Sequence, residues 1–182
     1  TKGSSMKKQI LIADGYNIIG NWPELNKLKQ NDHLADARDS LLQTLSEYRK
    51  FREIEIILVF DAMYVPGIKQ SYEQYNLEVV FTEEDETADS YIEALAGKLM
   101  SPINQVTVVS SDQAEQWTIF SRGALRVSSH DFYREIKRTH REIDHDAKRY
   151  HSKVMQRNRP WNDDQLERLA QMRDQLSDEK TD

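Results

Sequence analysis

The sequence predicts an α/β fold: a three-layer α/β/α sandwich on a mainly parallel sheet of about five strands, with a basic helical extension after it. Strand-like apolar runs alternate with helical periodicity through most of the 182 residues. One such run, Ile56-Ile57-Leu58-Val59-Phe60, is apolar throughout rather than at every second position, as in strands covered on both faces. After Ser129 the alternation gives way to a single long helical signal.

Gln9 to Ala13 reads as the first strand, and Asp14 leads from it into a polar loop. Asp32 is a candidate N-cap for a helix whose inward positions are Leu34, Arg38, Leu41, Leu42, Leu45 and Tyr48. Glu55 to Phe60 forms the second strand, Pro66-Gly67 a turn, and Leu77 to Phe81 a short third strand. Ala88, Ile92, Leu95 and Leu99 make the buried stripe of the next helix, with Pro102 after it. Gln105 to Ser110 is the fourth strand, Gln113 to Ser121 a short helix stopped by Gly123, and Ala124 to Val127 a weak fifth strand. Right-handed crossovers close this order into a doubly wound sandwich.

Beyond Ser129, Phe132, Ile136, Ile143, Ala147, Tyr150 and Val154 recur near the helical period, opposite a basic face. Arg159-Pro160 ends that helix. Asn162 with Gln165 resembles a capping box, and Leu166, Leu169, Met172 and Leu176 stripe a second helix, whose end at Ser177 to Asp182 is polar and frayed. The expected organisation is a domain over residues 6–130 and a helical extension over 131–182. Thr1 to Ser5, ahead of Met6, read as a cloning remnant outside the fold.

A hydrophobic fraction of 38% beside 31% charged residues suits one compact core with a solvated helical appendage. No stretch approaches the roughly 20 apolar residues of a membrane span. The apolar run after Lys7-Lys8 is cut short by Asp14, unlike a signal peptide. Cysteine is absent, which excludes disulfides, thiol nucleophiles and cysteine-ligated zinc and agrees with a cytosolic location. Net charge is −6, but from Arg134 to Pro160 nine Lys or Arg face four acids, a local +5 that leaves −11 elsewhere. Basic charge gathered in one segment is the footprint of a phosphate-binding surface.

Chemistry concentrates in the acids. Asp14, Asp61 and Asp112 each stand where a strand ends, at the edge where open α/β sheets bind ligands. Asp89 joins them from the start of a helix, after the run Glu83-Glu84-Asp85-Glu86, which reads as a solvated stretch. Four clustered carboxylates repel one another unless compensated, most simply by a divalent cation. Hard oxygen donors suit magnesium or manganese, Mg²⁺ or Mn²⁺, which can activate water for attack on a phosphodiester. Each aspartate has a second reading as a helix N-cap. Glu93 shares the helix face of Asp89 and is either a neighbour of the site or a surface residue.

Other chemistries lack their residues. The segment at Asp14 has no second aspartate two positions on, as a haloacid-dehalogenase-like phosphatase needs, and no acidic pair ends the first strand, as in a receiver domain. No Gly-rich phosphate loop is present. His130, His140, His145 and His151 fall in the basic segment without zinc-site spacing and read as surface or phosphate-facing residues.

Four motifs, Asp14-Gly15-Tyr16-Asn17, Val59-Phe60-Asp61-Ala62, Glu86-Thr87-Ala88-Asp89 and Ser110-Ser111-Asp112, together resemble the NYN domain, a PIN-like nuclease fold, and specifically its bacterial YacP-like branch. The resemblance covers about Lys7 to Arg141 and, more loosely, the basic extension. It implies a metal-dependent endoribonuclease, with members of the branch linked to cleavage of messenger RNA on the translating ribosome. It further implies that Asp14, Asp61, Asp89 and Asp112 form the acidic, metal-holding site and that Asn17 is its polar companion.

The expectation is therefore a cytoplasmic RNA hydrolase using Mg²⁺ or Mn²⁺, with mRNA as substrate and the ribosome as partner, and with neither DNA nor a membrane involved. Arg134, Lys137, Arg138, Arg141, Lys148 and Arg149 would contact RNA phosphates. The rival expectation is a noncatalytic RNA- or ribosome-binding adaptor that keeps the fold; a third is a toxin-like RNase acting on transfer RNA. Tyr16, Trp22 and Tyr64 are candidates for stacking on a base or for the core. Thr87 and Ser111 are candidates for capping helices or touching substrate, Trp117 a core residue, and Trp161 a docking residue for the last helix.

Overall fold

The computed structural model describes residues 7–62, 75–158 and 163–178. Tyr64, Pro66-Gly67, Arg159-Pro160, Trp161, Asn162 and Thr1 to Ser5 lie outside them, as does the side chain of Asp112. The chain divides into two compact units, Thr1–Thr139 and His140–Asp182.

Five strands form the first unit's sheet: β1 (Lys8–Asp14), β2 (Glu55–Phe60), β3 (Glu78–Phe81), β4 (Asn104–Ser110) and β5 (Leu125–Ser128). Their order is β3-β2-β1-β4-β5 and every pairing is parallel. Central β1 aligns Asp14 with Val59 of β2 and Ala13 with Val109 of β4, so the carboxyl ends of three strands share one edge. The sheet changes direction at β1, where β2 lies on one side and β4 on the other, and a crevice opens at such a point.

Strand alternation distributes side chains to two cores. Leu11, Ala13, Ile56, Leu58, Phe60 and Val109 face helices α1 (Gly15–Asn21), α2 (Pro23–Gln30) and α3 (Leu34–Arg52) and the first turns of α6 (Ser129–Asn158). Ile10, Ile12, Ile57, Val59, Val106 and Val108 face α4 (Ala88–Leu99) and α5 (Thr118–Ser121). Burial on both faces is the physical reason for the unbroken apolar runs.

Three local expectations are corrected. Residues 15–30 are two helices, not a polar loop: Ile18, Ile19, Trp22 and Leu25 are buried, and Pro23 opens α2 at a position where its missing N–H costs nothing. Asp32 does not cap α3; it has a left-handed backbone, φ 60°, and His33 occupies the cap position without a side-chain hydrogen bond. Finally, the expected helix over 113–121 is a 3-10 turn, Asp112–Gln116, followed by α5, because Trp117 between them is extended.

Phe132, Ile136 and Thr139 of α6 are buried in the first unit, which therefore reaches beyond the change of composition at Ser129. In the second unit, Ile143 and Val154 are half-buried while Ala147 and Tyr150 are exposed. Leu166, Leu169, Met172 and Leu176 of α7 (Asp163–Asp178) are exposed.

Gly15 has a packing requirement. A Cβ there would lie 2.3 Å from Cε1 of Phe60, a fully buried ring flanked by Tyr16 and Phe81 at centroid distances of 5.0 and 5.6 Å. Gly15→Ala should therefore cost about 1–3 kcal/mol, seen as a melting temperature lower by several degrees in thermal unfolding.

Candidate functional site: an acidic crevice at the carboxyl edge of the sheet

Asp14 ends β1 and caps α1, its Oδ1 accepting the backbone N–H of Asn17 at 3.2 Å. Asp61 follows β2 directly. Asp89 sits in the first turn of α4, where a carboxylate faces unpaired helix N–H groups, and Thr87 caps that helix by accepting the N–H of Ser90 at 3.2 Å. All three acids line one open crevice of about 370 Å³ with Tyr16, Asn17, Lys29, Leu34, Thr87 and Ala88. Asp112 opens the 3-10 turn after β4, at the same edge by backbone position. Ser111, at its cap position, makes no side-chain cap bond.

Burial pushes the Asp14 carboxyl up from its ordinary 3.8 to about 6; Asp89 and Asp61 add repulsion, and the N–H groups of Asn17 and Tyr16 oppose the shift. Asp14 is thus both the helix cap of the structural reading and a strained member of a negative cluster. Among the described residues no group of three carboxylate or imidazole side chains closes around a metal by itself. The donors are hard oxygens, and their mutual repulsion is what a cation would relieve. Magnesium keeps several waters and needs few direct protein ligands, so the three described acids fit a hydrated Mg²⁺ or Mn²⁺ better than a fully protein-ligated ion.

The remaining expected site residues separate. Asn17 accepts the hydroxyl of Ser129 through Oδ1, and Trp22 Nε1 donates to the Ser129 carbonyl at 2.9 Å, so they tie α1 and its junction with α2 to the start of α6. Trp22 is buried against Phe132 and Tyr133, which removes it from any base-stacking role. Tyr16 is half-buried on Phe60, and its hydroxyl accepts from Nη1 of Arg38 at 3.3 Å. Trp117 is half-buried and stacks on Phe120.

The basic residues belong to both units. Arg134, Lys137 and Arg138 fall in the first, and Arg141, Lys148 and Arg149 in the second; all six are exposed. Lys137 already donates to Glu24 at 3.0 Å and lies over the Tyr133 ring, and Arg138 pairs with Glu135. Lys29, Arg38 and Ser129 had no place in the strand-end pattern. Arg38, a charge inside an apolar stripe, was the one of them with a visible signal.

A second cavity, about 390 Å³, is lined chiefly by Ile10, Leu11, Ile54, Val127 and Phe132, with Asp131 and Glu135 its only charges among the described residues, and it gathers none of the described strand-end acids. Among the described residues no helix is long and apolar enough to cross a membrane.

A family model described as the YacP-like NYN domain matches residues 11–174. The chain is 44% identical over 135 residues to the uncharacterized protein YacP of Bacillus subtilis strain 168, covering 74% of this chain and 79% of that one. It is similar to the crystal structure of a tryptophan-to-leucine mutant of Rae1 (YacP) from Bacillus subtilis, with TM-score 0.69 and 40% identity over 80% of this chain and 86% of that one. Another crystal structure of Rae1 (YacP) from Bacillus subtilis matches with TM-score 0.67 and 35% identity over 94% of this chain and 92% of that one.

Proposed function

The chain belongs to the YacP-like NYN domain family, whose fold is of nuclease type, and from that premise we propose that it is a metal-dependent endoribonuclease acting on messenger RNA at the ribosome. The observation that carries the proposal is the crevice in which Asp14, Asp61 and Asp89, from three separate segments, converge at the carboxyl edge of the sheet. A stabilising role would need no such convergence, since each acid could cap its own helix anywhere.

Each residue has a task in this reading. Asp14, Asp61 and Asp89, with Asp112 beside β4, make a negative focus that attracts and holds Mg²⁺ or Mn²⁺. When bound, that ion supplies charge neutralisation and Lewis acidity for hydrolysis of a phosphodiester. The α1 cap fixes Asp14, since its Oδ1 is held by the Asn17 N–H, and Asn17 is anchored in turn by Ser129. Asn17 thus acts by orienting Asp14.

RNA is held by exposed basic residues. Their contributions differ: Lys137 and Arg138 must exchange an internal carboxylate for a phosphate, whereas no ion pair with a described carboxylate engages Arg134, Arg141, Lys148 or Arg149. Replacing those four by Gln should flatten the salt dependence of RNA binding by about three units of log–log slope, at roughly 0.7 per contact to single strands. Lys137→Gln alone should change it by less than one such contact. Filter binding across a salt series measures both, and an unchanged slope in the four-site variant would mark this segment as a solvated helix face.

The ribosome is tested by incubating purified protein and metal with labelled mRNA, with and without translating ribosomes. Cleavage that requires, or is strongly enhanced by, ribosomes supports the partner assignment. Equal cleavage of naked and translated RNA removes the ribosome and leaves the nuclease.

A further inference from the structure

Resting on the nuclease reading of the crevice, we infer that Lys29 is a substrate-positioning residue, its ammonium receiving an RNA phosphate beside the acidic edge while Tyr16, backed by buried Arg38, forms the same wall. Among the described residues the crevice is lined by three carboxylates and a single cationic side chain, Lys29. A phosphodiester strand entering beside Asp14, Asp61 and Asp89 meets charge of its own sign. Compensation of the acids alone leaves the flanking phosphates unbalanced, so a cation on the opposing wall decides where the strand lies.

Lys29 comes from the last turn of α2, whereas the acids come from β1, the end of β2 and α4. A lysine in a last helical turn also complements the helix carbonyls. That role does not single out Lys29, because Lys27 occupies the same turn and does not line the crevice. Among the described residues no carboxylate pairs with Lys29, unlike Lys8 with Glu55 or Lys137 with Glu24. Its long flexible stem lets the ammonium follow a phosphate.

A second observation concerns the same wall. Arg38 is only 3% exposed, its Nη1 donates to the Tyr16 hydroxyl, and its buried Nε has no hydrogen-bond partner among the described residues. A guanidinium held inside an apolar helix face is costly, and here it places fixed positive charge directly behind a crevice-lining ring. The crevice is thus bipolar, with anionic groups at the strand edge and cationic groups toward α2 and α3. A chain of alternating phosphate and sugar fits this polarity; a neutral ligand has no use for it.

The test compares steady-state cleavage of an unstructured labelled RNA by wild type, Lys29→Gln, Lys29→Arg and the control Lys27→Gln, in saturating metal over a salt series. Lys29→Gln should raise KM about three- to fivefold, the size of one exposed charge contact, with kcat within about twofold of wild type. Its salt slope should fall by about 0.7, Lys29→Arg should restore KM, and Lys27→Gln should match wild type. Lys29→Gln behaving as Lys27→Gln, or losing kcat at constant KM, overturns the assignment. A wild type that cleaves RNA neither alone nor with translating ribosomes removes the nuclease reading and this inference together, whereas a wild type that cleaves in either setting and is matched there by Lys29→Gln removes only Lys29.

Discussion

Asp14→Asn should abolish RNA cleavage and yet give a protein that melts higher than wild type at neutral pH in the presence of chelator. Replacing the carboxylate by an amide removes a charge from the proposed metal-holding cluster at nearly constant shape, and loss of several kcal/mol of transition-state stabilisation corresponds to about 10²- to 10⁴-fold in rate. The amide oxygen can still accept the Asn17 N–H and keep the cap. Stability moves the other way because the carboxyl of folded Asp14 has a pKa of about 6 against its ordinary 3.8. The folded state binds that proton more tightly, so wild-type stability is highest below about pH 4 as far as this group is concerned. It falls as pH rises between about 4 and 6 and stays lower above. A shift of this size is worth on the order of 2–3 kcal/mol, less after the helix N-terminus loses a favourable charge. Asp14→Asn should therefore match wild type near pH 4 and exceed it by about 1–2 kcal/mol at pH 7, a gain of several degrees. Wild type and Asp14→Asn melting together at both pH 4 and pH 7 would mean that burial does not raise the Asp14 carboxyl.

Millimolar Mg²⁺ or Mn²⁺ should raise the melting temperature of the wild type, and chelator should reverse the rise. A ligand that binds only the folded chain stabilises it by mass action, about 2.7 kcal/mol at a hundredfold excess over Kd. The increment should shrink in Asp14→Asn and again in Asp14→Asn combined with Asp89→Asn, because each removes a charge from the focus. Neutralising Arg134, Arg141, Lys148 and Arg149 should leave it unchanged, which separates the metal-holding groups from the RNA-holding ones. No melting shift in wild type at about 10 mM metal, read by calorimetry, would count against a resident cation.

The strands were legible because parallel sheets bury both faces: Glu55–Phe60 is apolar at five of its six positions and forms β2 over the same residues. The strand-end aspartates were equally visible, since a charge that abruptly ends an apolar run marks where a strand leaves the core. Asp14 and Asp61 could be followed to one crevice, where Asp89 meets them, while the side chain of Asp112 lies outside the described residues. Helices α1 and α2 escaped notice because they run to only 7 and 8 residues and bury one or two side chains each, too few to set a period. The two readings of Trp22, base stacking or core, stayed open for the same reason: on a loop it would face solvent, but between two short helices it turns inward onto Phe132. The contacts of Lys29, Asn17 and Ser129 join positions distant in sequence, and no local pattern encodes such a meeting.

Hydrolysis of RNA by the acidic crevice with the help of a divalent cation is the activity proposed for this chain. Its most direct test is the fate of an end-labelled messenger RNA, with translating ribosomes present, incubated with metal-stripped protein, with the same protein after Mn²⁺ is restored, and with Asp14→Asn treated identically. Internal cleavage is expected only by wild type with metal restored. Cleavage by the stripped protein in excess chelator, or by Asp14→Asn at the wild-type rate, would contradict it.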